Sequence, residues 1–94
     1  MNLSRLRRQI DRVDLALLRL LNRRASLALR VGALKKKKSL PVFDGRRENQ
    51  VLRLVVRTNQ GPLPGRSLSA IFGAILRHSR SLQGTGTTRG RNRS

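Results

Sequence analysis

The chain has no cysteine, no tryptophan and no tyrosine, only two phenylalanines, and a single histidine, His78. Without thiols there is no disulfide framework and no thiolate metal site, and one imidazole is too few for an ordinary zinc or haem centre. No metal and no cofactor are therefore expected. The shortage of aromatic side chains, with apolar residues that are mostly Leu, Val, Ile and Ala, favours helices over a sheet. It also removes the aromatic platforms on which single-stranded nucleic acids stack. No continuous apolar run follows the basic N-terminus, so the sequence reads as having neither a signal peptide nor a membrane span, with the cytoplasm as the default location.

Negative charge is the other scarcity. Against 22 Lys and Arg stand four acids, Asp11, Asp14, Asp44 and Glu48, for a formal charge of +18. Such a balance calls for an anionic partner, whether a carboxylate, a phosphate, an acidic lipid or a nucleic acid. In a chain that otherwise avoids acids, two of them at Asp44 and Glu48 mark that stretch for attention.

What the sequence does have is a long helical period. Leu3, Leu6, Ile10, Val13, Leu17, Leu20, Arg24, Leu27, Val31 and Leu34 alternate in steps of three and four, interrupted only by Arg24. This predicts a helix from about Leu3 to Lys38, roughly 54 Å long, capped by Asn2 or Ser4 and stopped before Pro41. A chain of 94 residues forms one domain and cannot cover such a rod alone. Shorter helices, a second copy, or both must complete the core. Asp44 is placed to cap a second helix, about Gly45 to Asn59, with Glu48, Val51, Leu52 and Val55 on its inner face. The Gly61–Gly65 stretch, with Pro62 and Pro64, breaks the chain. Ser67 is expected to cap a third helix reaching about Gln83, with Leu68, Ile71, Phe72, Ile75, Leu76 and Leu82 apolar. Residues 1–83 thus make a helical domain, and 84–94 read as a disordered basic tail.

Polar residues interrupt all three apolar faces. Arg24 on the seam needs acceptors or an anion, met either by a structural ion pair and a snorkelling stem or by a ligand. Lys35 follows on nearly the same face, although Lys35 to Lys38 also suits a solvated helix end. Ser79 and Gln83 continue the stripe of the third helix, and Glu48 sits inside the second. Each has an ordinary structural reading, but three helices turning polar on their inner faces describe a lined cavity.

Five blocks carry a family resemblance. They are L-R-R-Q-I-D-R-V-D at Leu6 to Asp14, L-L-N-R-R at Leu20 to Arg24, V-G-A-L-K at Val31 to Lys35, P-V-F-D-G-R-R-E at Pro41 to Glu48, and I-F-G-A-I-L-R-H-S-R-S-L-Q at Ile71 to Gln83. In this order the chain resembles the all-helical chorismate mutases, whose three-helix subunits interlock as homodimers. The resemblance implies an isomerase that rearranges chorismate to prephenate in aromatic amino-acid biosynthesis. It further implies that Arg24, and Arg7 from the other subunit, hold the substrate carboxylates. Lys35 and Gln83 would donate to the ether oxygen of the breaking bond. Glu48, with the backbone near Asp44, would receive the hydroxyl, and Arg47 and Ser79 would complete the wall. The Lys run after Lys35, the surplus of Arg, and Gly45 where bulkier residues are usual depart from the pattern.

A shared site is also implied by length. Arg7 and Arg24 are 17 residues apart, about 25 Å along one straight helix, so they cannot grip one small molecule from the same chain. Pairing two long helices antiparallel about a two-fold near Leu15 and Ala16 would bring Arg7 of one beside Arg24 of the other. Two other readings compete. An isochorismate pyruvate lyase would use the same fold, and a basic helical dimer would bind nucleic acid. The charge favours the latter as non-specific binding, but it accounts for none of Glu48, Ser79 and Gln83.

Overall fold

Asn2 opens the first helix by accepting the Arg5 N–H at 2.8 Å, which satisfies one of the donors that a helix start leaves unpaired. In this computed structural model, which describes residues 2–85, α1 runs Leu3–Lys37, α2 Gly45–Thr58 and α3 Gly65–Thr85. Among the described residues all regular structure is helical, so the expected all-α class with one long and two shorter helices is what the chain forms. None of the helices is long and apolar enough to cross a membrane.

The end of α1 sets the direction of the loop that joins it to α2. Ser39 adopts φ 57, its N–H returns to the Lys36 carbonyl at 3.2 Å, and the Leu40 N–H returns to the Lys35 carbonyl at 2.8 Å. This is the Schellman arrangement, in which a left-handed residue lets the chain satisfy the last carbonyls and turn away. It aims Pro41 and Val42 back past the Lys35 side chain. Asp44 then caps α2 as expected, accepting the Arg47 N–H at 3.0 Å.

Two expectations need correction. Ser67 is not the cap of α3: the helix begins at Gly65, and the Pro64 carbonyl already accepts from the Ser67 and Leu68 N–H groups, both at 3.1 Å. Proline can hold that place because its missing N–H would be unpaired at a helix start anyway. At the other end α3 continues through Thr85, so Gly84 and Thr85 belong to the helix rather than to a tail. The remainder of the expected tail, 86–94, lies outside the described residues.

α3 is the centre of the fold. It packs on α1 and on α2, while α1 and α2 do not pack on each other. The result is a slab of 55 × 32 × 15 Å, little thicker than a single helix with its side chains. Ala28 and Gly32 of α1, Val51 of α2, and Leu68 and Leu76 of α3 are the buried residues among those described. Most of the apolar seam of α1 stays in the open. Val13 is 64% exposed and Leu20 60%, and Leu3, Ile10, Leu17, Leu27 and Leu34 are each half exposed or more.

Ser39→Gly tests the turn that ends α1. The left-handed conformation costs a non-glycine residue about 1–2 kcal/mol, and glycine returns roughly 0.5–1 kcal/mol of that as extra freedom of the unfolded chain. The variant should gain about 0.5–1 kcal/mol and melt a few degrees higher. A melting temperature that falls would show that Ser39 contributes something beyond its backbone.

Candidate active site

The three helices enclose a cavity of about 410 Å³ on the side where α1 and α2 diverge. Its apolar floor comes from Leu27, Ala28, Val31, Val51 and Leu76, and its rim from Arg24, Lys35, Asp44, Arg47, Glu48, Ser79, Arg80 and Gln83. Seven of the eight site residues expected from the sequence therefore converge. Arg7 is the exception. It sits exposed near the start of α1, outside the cavity lining, as the separation of Arg7 and Arg24 requires.

Several of these polar groups are held by neighbours. The Arg24 guanidinium donates through Nη1 to Ser79 Oγ, whose own hydroxyl donates to the Ile75 carbonyl at 2.8 Å. Serine has one donor and two acceptor positions, so one hydroxyl can fix the arginine and remain anchored to its own helix. Arginine has five N–H donors, and a single bond to Ser79 leaves most of its fork for a carboxylate. A half-buried guanidinium with this much unspent donor capacity is suited to an anion.

Lys35 is the second fixed cation. Its ammonium donates to the Val42 carbonyl at 2.7 Å and to Gln83 Oε1 at 2.9 Å. An ammonium has three protons and no acceptor, so one remains for the cavity. The same bond orients Gln83: because Lys35 can only donate, the amide oxygen faces it and the NH₂ is left to donate elsewhere. A lysine proton and an amide proton thus converge at one end of the cavity.

Glu48 meets Arg80, which the sequence pattern did not single out. Arg80 Nε lies 2.9 Å from Glu48 Oε2, an ion pair without the alignment of a hydrogen bond, so that buried nitrogen has no hydrogen-bond partner. The guanidinium also stands over the Phe43 ring, 5.0 Å from its centroid. Position 80 comes directly after Ser79 and looked like part of the general arginine surplus. Its spacing of four from Leu76, one turn along the same helix, is the signal that could have marked it as inward-facing. The Asp44 carboxylate serves as a helix cap rather than pointing a free charge at a ligand. Across the lining, Arg24, Lys35, Arg47 and Arg80 oppose Asp44 and Glu48, an excess of two positive charges that matches a small dianion.

Comparison with known proteins gives the family. The family model described as chorismate mutase type II matches residues 6–84. The chain belongs to that family.

Among solved structures, form II of chorismate mutase from Thermus thermophilus superposes with a TM-score of 0.85 at 33% identity, covering 86% of this chain and 92% of that one. Form I gives 0.79 at 34% identity, covering 81% and 95%. The bifunctional chorismate mutase/prephenate dehydratase of Aquifex aeolicus is 39% identical over 85 residues, which is 86% of this chain and 24% of that protein. The protein of the same description from Neisseria gonorrhoeae is 40% identical over 70 residues, 74% of this chain and 19% of that protein. The chain therefore spans a quarter or less of the curated relatives it matches.

A small residue lets the cavity close at its Lys35 end. A Cβ added to Gly32 would lie 2.8 Å from the Gln83 Cα and 3.1 Å from its Cβ. Glycine at 32 is thus what lets the end of α3 approach α1 and bring Gln83 within reach of Lys35, three residues further on. In an exposed helix Gly→Ala gains about 1 kcal/mol. Here the added methyl meets backbone, and overpacking of about 1–3 kcal/mol outweighs that gain. Gly32→Ala should lower stability by about 1–2 kcal/mol in thermal or urea unfolding. A variant as stable as the parent would mean that α3 can slide away from α1 at little cost.

Proposed function

We propose that this cavity binds chorismate and rearranges it to prephenate, and that a second copy of the chain completes it. The observation that carries the reading is the donor pair at one end: Lys35 and Gln83, 2.9 Å apart, each with a proton left for one acceptor. The reaction is a unimolecular pericyclic shift, in which one C–O bond breaks as a C–C bond forms. It calls for no nucleophile and no proton transfer. A protein accelerates it by holding a flexible dianion in its folded conformer and by meeting the negative charge that grows on the ether oxygen.

In this reading Arg24, steadied by Ser79, takes one carboxylate. Arg7 of the second chain takes the other. Lys35 and Gln83 face the ether oxygen, and their attraction to it strengthens as the bond opens, which is what raises kcat. Glu48 accepts the substrate hydroxyl beside the backbone at Asp44, while Arg47 lends positive potential at the rim. A million-fold acceleration corresponds to about 8 kcal/mol. One preorganised donor contributes about 3–4 kcal/mol in comparable sites, so two donors and conformer selection suffice. The exposed seam of α1 supports the second chain: an antiparallel partner would cover Leu3 to Leu34 and deliver Arg7 in the same step.

The direct test is incubation with chorismate and identification of the product. Prephenate formed without any additive is the expected result; no consumption of chorismate overturns the reading, and pyruvate released from isochorismate would move the site to the lyase. Gln83→Glu adds a sharper signature. A carboxylate at this place repels the developing charge, whereas a carboxylic acid can donate as the amide does. The variant should be at least about a hundredfold slower near neutral pH and should recover as the pH falls toward the carboxylate range. The parent should show no such recovery. A variant with the parent's rate at neutral pH would remove Gln83 from the reacting end.

A further inference from the structure

Phe43, Gly45, Glu48 and Arg80 form a connected group across three segments: the loop after α1, the start of α2 and the last third of α3. The connection begins with Gly45. A Cβ there would come 3.1 Å from the Phe43 Cζ and 3.3 Å from Cε2, so the ring packs closely over Gly45 and would have to shift to admit a side chain there. The ring in turn lies beneath the Arg80 guanidinium at 5.0 Å. A guanidinium over an aromatic face is attracted by the ring quadrupole and is restrained in its rotamer. So restrained, Arg80 places Nε at 2.9 Å from Glu48 Oε2, with the two side chains 35% and 19% exposed.

We propose that Arg80 is a positioning residue for substrate recognition: braced by Phe43, it holds the Glu48 carboxylate at the cavity wall with its second oxygen turned to the ligand. The inference rests on the chorismate reading, in which Glu48 accepts the substrate hydroxyl. A carboxylate has two acceptor oxygens, so an ion pair at Oε2 leaves Oε1 for that hydroxyl. Glutamate has three side-chain torsions and would otherwise sample several rotamers, each fixed only on binding. Arg80 fixes them beforehand. Its charge also offsets that of Glu48, so a dianionic ligand does not meet an uncompensated carboxylate at the wall.

This role predicts a particular kinetic pattern. The hydroxyl takes no part in bond making or breaking, so its contact with Glu48 is the same in substrate and transition state. Loss of such a contact raises KM and leaves kcat nearly unchanged. Arg80→Gln should raise KM for chorismate about fivefold to tenfold with kcat within about twofold of the parent. Arg80→Lys, which keeps a cation within reach of Glu48, should recover most of the affinity. Phe43→Leu should raise KM by less than Arg80→Gln, through loss of the brace.

The decisive comparison is a double-mutant cycle. In a Glu48→Gln background, Arg80→Gln should have little further effect on KM, because Arg80 acts through the carboxylate that is no longer there. A full effect of Arg80→Gln in that background would show that Arg80 binds the substrate itself, and would overturn the proposal. So would an Arg80→Gln enzyme with the parent's KM, or one whose loss lies in kcat. The same four proteins are melted in parallel, since non-additive shifts in Tm report the Arg80–Glu48 contact without any turnover. A parent that leaves chorismate untouched but shows this coupling would defeat the chorismate reading while the contact stands. Additive shifts with normal turnover would defeat the positioning role alone.

Discussion

The long helix of this chain carries more apolar surface than the rest of the chain can cover. α1 spans 35 residues, and only its C-terminal half meets α3 closely enough to bury anything, at Ala28 and Gly32. A slab 15 Å thick has no interior beyond the line where α3 lies between its neighbours. The other features stem from this constraint. The seam that remains exposed is the one that antiparallel pairing of two α1 helices would cover. The same straightness that leaves it bare keeps Arg7 about 25 Å from the cavity. In the proposed dimer, core formation and site completion are one event.

Within the cavity two of the four lining cations are held by neutral partners. Ser79 fixes Arg24, and the Val42 carbonyl with the Gln83 amide oxygen fixes Lys35. Neutral acceptors orient a cation without cancelling its charge, so its attraction for an anion survives. Arg80 differs from these two, since its partner is the carboxylate of Glu48. That difference separates the groups suited to gripping an anion from the pair suited to a hydroxyl. The apolar floor beneath them lowers the local dielectric and strengthens each remaining donor.

Much of this was legible in the sequence, and for identifiable reasons. The alternation from Leu3 to Leu34 fixes α1 because only a helix places those residues on one face, and Asp44 before Arg47 announces the start of α2. Polar residues on apolar stripes located Arg24, Lys35, Glu48, Ser79 and Gln83, all of which line the cavity. Three kinds of information were hidden. Ser67 resembled a cap because serine is a good one, yet the Pro64 carbonyl one turn earlier takes the role, and no local pattern separates the two. Nothing in the sequence marks Gly32, whose value is the absence of a Cβ against Gln83, a contact 51 residues away in the chain. Arg80 was lost among 22 basic residues, and its meaning depends on Phe43 and Glu48 arriving from two other segments.

The claim that a site is built from two chains is tested most directly by mixing two inactive variants. Arg7→Ala and Lys35→Ala are unfolded and refolded together, and the mixed dimers are verified before assay with chorismate. In a mixed dimer, one cavity combines Lys35 from the Arg7→Ala chain with Arg7 from the Lys35→Ala chain and is complete, while the other lacks both groups. Random pairing makes about half of the dimers mixed, each with one working site of two, so activity should return to about a quarter of the parent's. Verified mixed dimers that remain as inactive as either variant alone would contradict the shared site.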